Sequence, residues 1–127
     1  MIPSAADRDA LFKTFGRAWF RRDIDLLYQS VTEDFVWASL DGSGAVCLFK
    51  GKDAVGEALR DSVQPGIKRT FEDVAYHHAA DASFMTFRLI DTEEKSGNQH
   101  VSVGVERYTF RDGRIAIKDV YRKTAAV

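Results

Sequence analysis

Glu106, Tyr108, Lys118 and Arg122 are the residues of this chain whose types and spacing could do chemistry. They lie at even intervals along two consecutive strand-like segments, so one sheet face can carry all four. A carboxyl at Glu106, set beside a phenol among apolar side chains, can accept or donate a proton to a bound compound. It can equally form a cross-strand pair with Lys118 that only holds two strands in register. Arg88 and Arg122 sit in half-apolar segments, where a guanidinium either anchors a carboxylate or enolate oxygen or snorkels to the rim.

Other reactive residues argue against the commoner chemistries. His77 and His78 are adjacent, so on a strand they point to opposite faces and cannot ligate one metal together. His100 lies far along the chain, and no metal or other cofactor is expected. One of His77 and His78 can enter a pocket as a neutral acid–base group, or both can be solvated. The lone cysteine, Cys47, has apolar neighbours, the setting of an inert buried thiol. Asp41-Gly42-Ser43-Gly44 is a turn and not a phosphate cradle, because no lysine-bearing helix follows it at the spacing of a P-loop. Eighteen basic and 19 acidic residues nearly cancel to a net charge of -1, so no nucleic-acid partner is expected. The N-terminus lacks the pattern of a signal peptide, and no apolar run reaches the ~20 residues of a membrane span. The expected compartment is the cytoplasm, with no membrane partner.

Positioning such residues takes helices first and long strands after. Ser4 with Asp7 three residues on opens a helix; Leu11, Phe12, Phe15, Ala18 and Trp19 recur at helical spacing, with Arg8, Asp9, Lys13, Arg17 and Arg21 on the other face. Asp23 caps a short second helix whose buried pattern runs through Leu26, Leu27 and Val31. From Glu33 to Leu40 the period changes to two, and the turn at Asp41–Gly44 leads into a short partner, Ala45 to Phe49. Gly51 starts a third helix with Val55, Leu59 and Val63 inward, stopped by Pro65-Gly66. Strands are then predicted over Ile67–His78, Ala82–Glu93, Gln99–Phe110 and Arg114–Lys123. With no linker or repeat, residues 1–127 read as one α+β domain, able to bury roughly two-thirds of its unfolded surface. Strands this long must twist, and a curved sheet has a concave side that the first helix can cover. Phe15, Trp19, Trp37 and Tyr108 are candidate walls of the space between.

The last hairpin admits two registers. A two-residue Asp112-Gly113 turn sets Glu106 opposite Asp119 and Arg107 opposite Lys118, two like-charge pairs. A three-residue Arg111-Asp112-Gly113 loop instead pairs Phe110 with Arg114 and Glu106 with Lys118, and is preferred. It sorts Ser102, Gly104, Glu106, Tyr108, Ala116, Lys118, Val120 and Arg122 onto one face. Val101, Val103, Val105, Arg107, Ile115, Ile117, Asp119 and Tyr121 take the other.

This order resembles the nuclear transport factor 2-like superfamily of cone-shaped domains, and within it the SnoaL-like, polyketide-cyclase-like group. Carrying the resemblance are Arg22-Asp23-Ile24-Asp25-Leu26-Leu27, Thr32-Glu33-Asp34-Phe35-Val36-Trp37, Phe49-Lys50-Gly51-Lys52-Asp53-Ala54-Val55 and Tyr108-Thr109-Phe110-Arg111-Asp112-Gly113-Arg114-Ile115. It spans residues 7–122 and implies a curved mixed or antiparallel sheet wrapped around N-terminal helices, with an internal pocket. It also implies that the Glu106 face lines the cone. The pocket residues are then Phe15, Trp19, Trp37, Ser39, Leu59, Tyr108, Lys118, Val120 and Arg122. The opposite face, with Val103, Val105, Arg107, Ile117, Asp119 and Tyr121, is expected to meet a second copy.

Compared with ketosteroid isomerases, Glu106 falls where those enzymes hold a protonated oxyanion-hole acid. Their general base falls on Ser39, their helical tyrosine on Phe15 and its supporter on Leu59, so that mechanism lacks its parts. The Asp-Arg-Asp arrangement of related epoxide hydrolases is approached only by Glu106, Arg107 and Asp119, which divide between two faces. The functional expectation is binding of a small apolar ligand. The alternative is a cofactor-free isomerase, cyclase or dehydratase using Glu106 as acid or base on a carbonyl compound.

Overall fold

The computed structural model describes residues 1–62 and 64–125, so the expectation for Val63 lies outside the described residues. Three helices, α1 (Ala5–Arg21), α2 (Ile24–Leu27) and α3 (Lys52–Asp61), precede or interrupt a six-stranded sheet. Its strands are β1 (Val31–Leu40), β2 (Val46–Lys50), β3 (Ile67–His78), β4 (Ala82–Glu93), β5 (Gln99–Arg111) and β6 (Arg114–Thr124). The spatial order is β2-β1-β6-β5-β4-β3. Only β1 and β6 run parallel; the other pairs are antiparallel.

α1 begins where Ser4 accepts the Asp7 amide at 3.2 Å, and it ends at Arg22, a left-handed cap with φ 57°. Phe12, Phe15 and Ala18 are buried against the sheet, each ring contributing about 2 kcal/mol by leaving water. α2 is shorter than its apolar pattern, and Val31 opens β1 instead of extending the helix. The sheet bends at irregularities in β1, β3 and β6. In β3 the break falls between Glu72 and Ala75, where Asp73 takes φ 53°. Gly104 allows the tightest approach. A Cβ there would stand 2.5 Å from Phe87 Cζ, 2.7 Å from the Tyr121 carbonyl oxygen and 2.8 Å from Arg122 Cγ.

Neither register considered for the last hairpin is the one observed. Arg111 pairs with Arg114 across a two-residue Asp112-Gly113 turn, with φ 54° and 75° at its two positions. A bulge then shifts the pairing, so Arg107 lies opposite Asp119, Tyr108 opposite Lys118 and Glu106 opposite Val120. The like charges are thereby separated, by a bulge and not by a longer loop. The bulge also turns Ile115 inward to complete burial, correcting its placement on the outer face.

Arg8 departs from its expected place on the solvated face of α1. It is only 5% exposed, and its guanidinium donates to the carbonyls of Pro3, Ala79, Ala80 and Ala82 and to Ser83 Oγ. It also lies 4.9 Å from the Phe110 ring centroid. The β3–β4 turn has carbonyls in need of donors, and a planar fork of five N–H groups meets several at once. No helix among the described residues is long and apolar enough to cross a membrane.

Candidate functional site

Between α1 and the concave sheet lies a cavity of about 650 Å³. Aromatic rings from both sides line it, among them Phe15 and Trp19 of α1, Trp37 of β1, Tyr76 of β3 and Phe87 of β4. Trp19 meets Trp37 edge-on with centroids 4.7 Å apart, and Phe15 meets Tyr108 at 5.7 Å. Such rings supply broad apolar contact and hold one another in fixed orientations.

Three polar side chains are buried in this wall. Tyr108 donates its hydroxyl to Glu106 Oε1, and Lys118 Nζ lies 3.6 Å from the same oxygen. The three residues are between 2% and 6% exposed. Both contacts fall on Oε1, leaving Oε2 uncommitted among the described residues. The Lys118 ammonium lies 3.2 Å from the Trp19 ring centroid, with Trp37 at 5.3 Å and Phe15 at 5.4 Å. Burial pushes the ammonium down to about 8, against the opposing pull of the Glu106 charge. Burial pushes the Tyr108 phenol well above its ordinary value, and the adjacent Glu106 charge adds to this. Tyr108 is therefore a fixed proton donor at neutral pH. A carboxylate, a phenol and a caged ammonium against apolar walls can bind an oxygen function or move a proton at it.

The structure brings together most of the residues expected here. Phe15, Trp19, Trp37, Ser39, Glu106, Tyr108, Lys118, Val120 and Arg122 all line the cavity. Leu59 does not. It is 1% exposed within the core, and Ala58 and Asp61 of α3, with Ser62 at its C-cap, meet the cavity instead. The Glu106–Lys118 contact is diagonal and not directly cross-strand. Of the two arginines considered, Arg122 reaches the cavity, whereas Arg88 lies 3.7 Å from Glu72 outside it. His78 is engaged at both ring nitrogens, by Ser83 Oγ at 2.7 Å and Asp9 at 2.8 Å. His77 lies 3.3 Å from Thr86 Oγ1, and neither histidine lines the cavity. No group of three or more potential metal ligands occurs among the described residues.

Sequence reasoning missed Arg22, Arg69, Phe71 and Tyr76, which also line the cavity. The irregularity at Asp73 explains the last of these. Arg69 and Phe71 share a face by simple alternation, but Tyr76 joins them only because the break shifts the count by one. An aspartate in mid-strand, a poor strand former that tolerates positive φ, was the available signal. Arg22 gave none, since its left-handed conformation at the end of α1 is what turns it toward the cavity.

Residues 12–117 match the family described as the SnoaL-like domain. No curated protein matches the sequence significantly. A nuclear transport factor 2-like protein from Burkholderia xenovorans superposes with a TM-score of 0.76 at 14% identity, over 94% of this chain and 92% of its own. A candidate polyketide cyclase from Xanthomonas campestris pv. campestris gives 0.70 at 16%, over 91% and 90%. TerC, co-crystallized with polyporic acid, gives 0.70 at 16%, over 92% of each chain. Likeness at these identities is likeness of fold.

Proposed function

The chain belongs to the SnoaL-like domain family, with the nuclear transport factor 2-like fold, and on that premise we propose that its cavity binds a small, largely apolar molecule bearing an oxygen function. One observation carries this reading: an aromatic-walled cavity of about 650 Å³ with Glu106, Tyr108 and Lys118 buried together in its wall. A site of that size with a few convergent polar groups has the form of a small-molecule pocket. The polyporic acid in the TerC crystals and the cyclase assignment of the Xanthomonas relative fit the same reading.

Acid–base catalysis on a carbonyl compound is the second reading, favoured by the uncommitted Oε2 of Glu106. Tyr108 and Lys118 hold the carboxylate through Oε1, so Oε2 can remove a proton beside the carbonyl. Lys118 then balances the charge of the enolate formed. Ser39, at the position of the isomerase base, adds nothing to such a transfer.

Quenching of Trp19 and Trp37 by a panel of apolar carbonyl and phenolic compounds tests binding, because both rings line the cavity. Glu106→Gln keeps the shape of the side chain and should leave the fold intact while abolishing binding. Unchanged binding would remove Glu106 from the site. Turnover of a bound carbonyl compound whose kcat falls in Glu106→Asp, with KM little changed, would establish the second reading.

A further inference from the structure

One end of the cavity differs from the rest. Arg22 at the end of α1, Arg69 of β3 and Arg122 of β6 all reach it, although they are remote in sequence. A recess of about 70 Å³ opens there, lined by Arg22, Arg69, Ser62, Gln64 and Ile67, and the first four also line the main cavity. Only Arg69 has a carboxylate partner among the described residues, holding both oxygens of Asp91 at 2.8 and 2.9 Å. Arg22 donates to the Trp19 carbonyl, but its Nε is buried without a hydrogen-bond partner. The missing Cβ of Gly104 makes room for the stem of Arg122. The guanidiniums feel one another: burial, and after it the charge of Arg69, pushes both Arg22 and Arg122 below their ordinary values, with Glu106 and Asp91 opposing this only in part at Arg122.

Three guanidiniums at this end of the cavity, two of them lining the recess, face the carboxylates of Asp91 and Asp61 and still leave an unbalanced positive charge. Holding like charges together without a counter-ion is unfavourable, and more so where water is partly excluded. Planar guanidiniums bind carboxylates through paired hydrogen bonds, and the Gln64 amide offers a further donor. We propose that this end of the cavity is an anion subsite, and that the ligand carries a carboxylate on an aromatic or alicyclic body. The body lies along Phe15, Trp19 and Phe87, and the carboxylate sits among Arg22, Arg69 and Arg122. This rests on the cavity being a ligand site and narrows the class of ligand.

Isothermal titration of naphthylacetate and its neutral isostere naphthylethanol provides the test, since they differ only in the charged group. The expected result is at least ~10-fold tighter binding of naphthylacetate, the factor that about 1.4 kcal/mol of added interaction produces. Arg122→Gln, and separately Arg22→Gln, should bring the ratio close to one. Because Arg22 also caps α1, Arg122→Gln decides if the other variant fails to fold. Equal binding of the two compounds by the unaltered protein overturns the anion subsite and leaves the cavity reading standing. A preference for naphthylacetate that survives Arg122→Gln overturns it as well. Failure of both compounds to bind overturns the subsite together with the reading beneath it.

Discussion

Raising the pH from about 7 to about 9.5 is expected to stabilise this fold through Lys118. In the unfolded chain the ammonium has its ordinary value of 10.5, whereas in the fold burial pushes it down to about 8 despite the pull of Glu106. Below both values each state holds the proton, and the fold bears the full cost of the buried charge. Between them the unfolded state binds more protons, so stability rises with pH. The gap between the two values corresponds to about 3 kcal/mol, of which ~2 kcal/mol is realised by about pH 9.5. Going higher brings in Tyr108, which keeps its proton in the fold while the unfolded tyrosine loses its own, and stability then falls. Urea denaturation of the wild type and of Lys118→Met at both pH values measures the effect. Methionine keeps most of the side-chain length without the charge, and the contributions of groups common to both proteins cancel. The wild type should gain about 2 kcal/mol more than the variant across this window. An equal pH response in the two proteins would refute the argument.

Gly104→Ala should destabilise the fold by about 1–3 kcal/mol, because the added methyl meets a backbone carbonyl as well as two side chains; calorimetric melting checks this, and an unchanged Tm would show that the strands can part at no cost. Arg8→Met should lose roughly 3 kcal/mol by taking the donor from the carbonyls of Pro3, Ala79 and Ala80, with urea midpoints as the measure. On the outer face of β5 and β6, Tyr121 donates to Asp119, which lies opposite Arg107, beside the exposed Ile117. We propose that a second copy seats on this face, with Val103 and Val105 beneath it. Light scattering should find a dimer that Ile117→Lys converts to monomer; a monomeric wild type would reject that assembly.

The order of elements was legible in the sequence because each piece carries its own local signal. Ser4 and Asp23 cap the helices they precede, and alternation in the predicted strands comes from burial on one face. The face carrying Glu106, Tyr108, Lys118 and Arg122 was legible as well, although the hairpin register was not. A three-residue loop, and a two-residue turn followed by a one-residue bulge, put the same side chains on the same face beyond Ala116. The like-charge pairs Glu106–Asp119 and Arg107–Lys118 were enough to exclude the plain two-residue register. They could not show that a bulge, and not a longer loop, would separate them, and so Ile115 was turned the wrong way.

Tertiary structure alone decided the rest. Arg8 looks like any solvated helix arginine until the β3–β4 turn brings the carbonyls of Ala79 and Ala80 to it from more than 70 residues away. Leu59 sits at helical spacing in either role, and only the tilt of α3 sends it to the core while Ala58 meets the cavity. Arg22, Arg69 and Arg122 lie on three elements remote in sequence, and one of them faces inward because of a left-handed helix cap. Local pattern specifies what each segment is and which way most of its side chains point. Where segments far apart in the chain converge depends on bends, bulges and caps, and it is there that the charged end of this cavity is built.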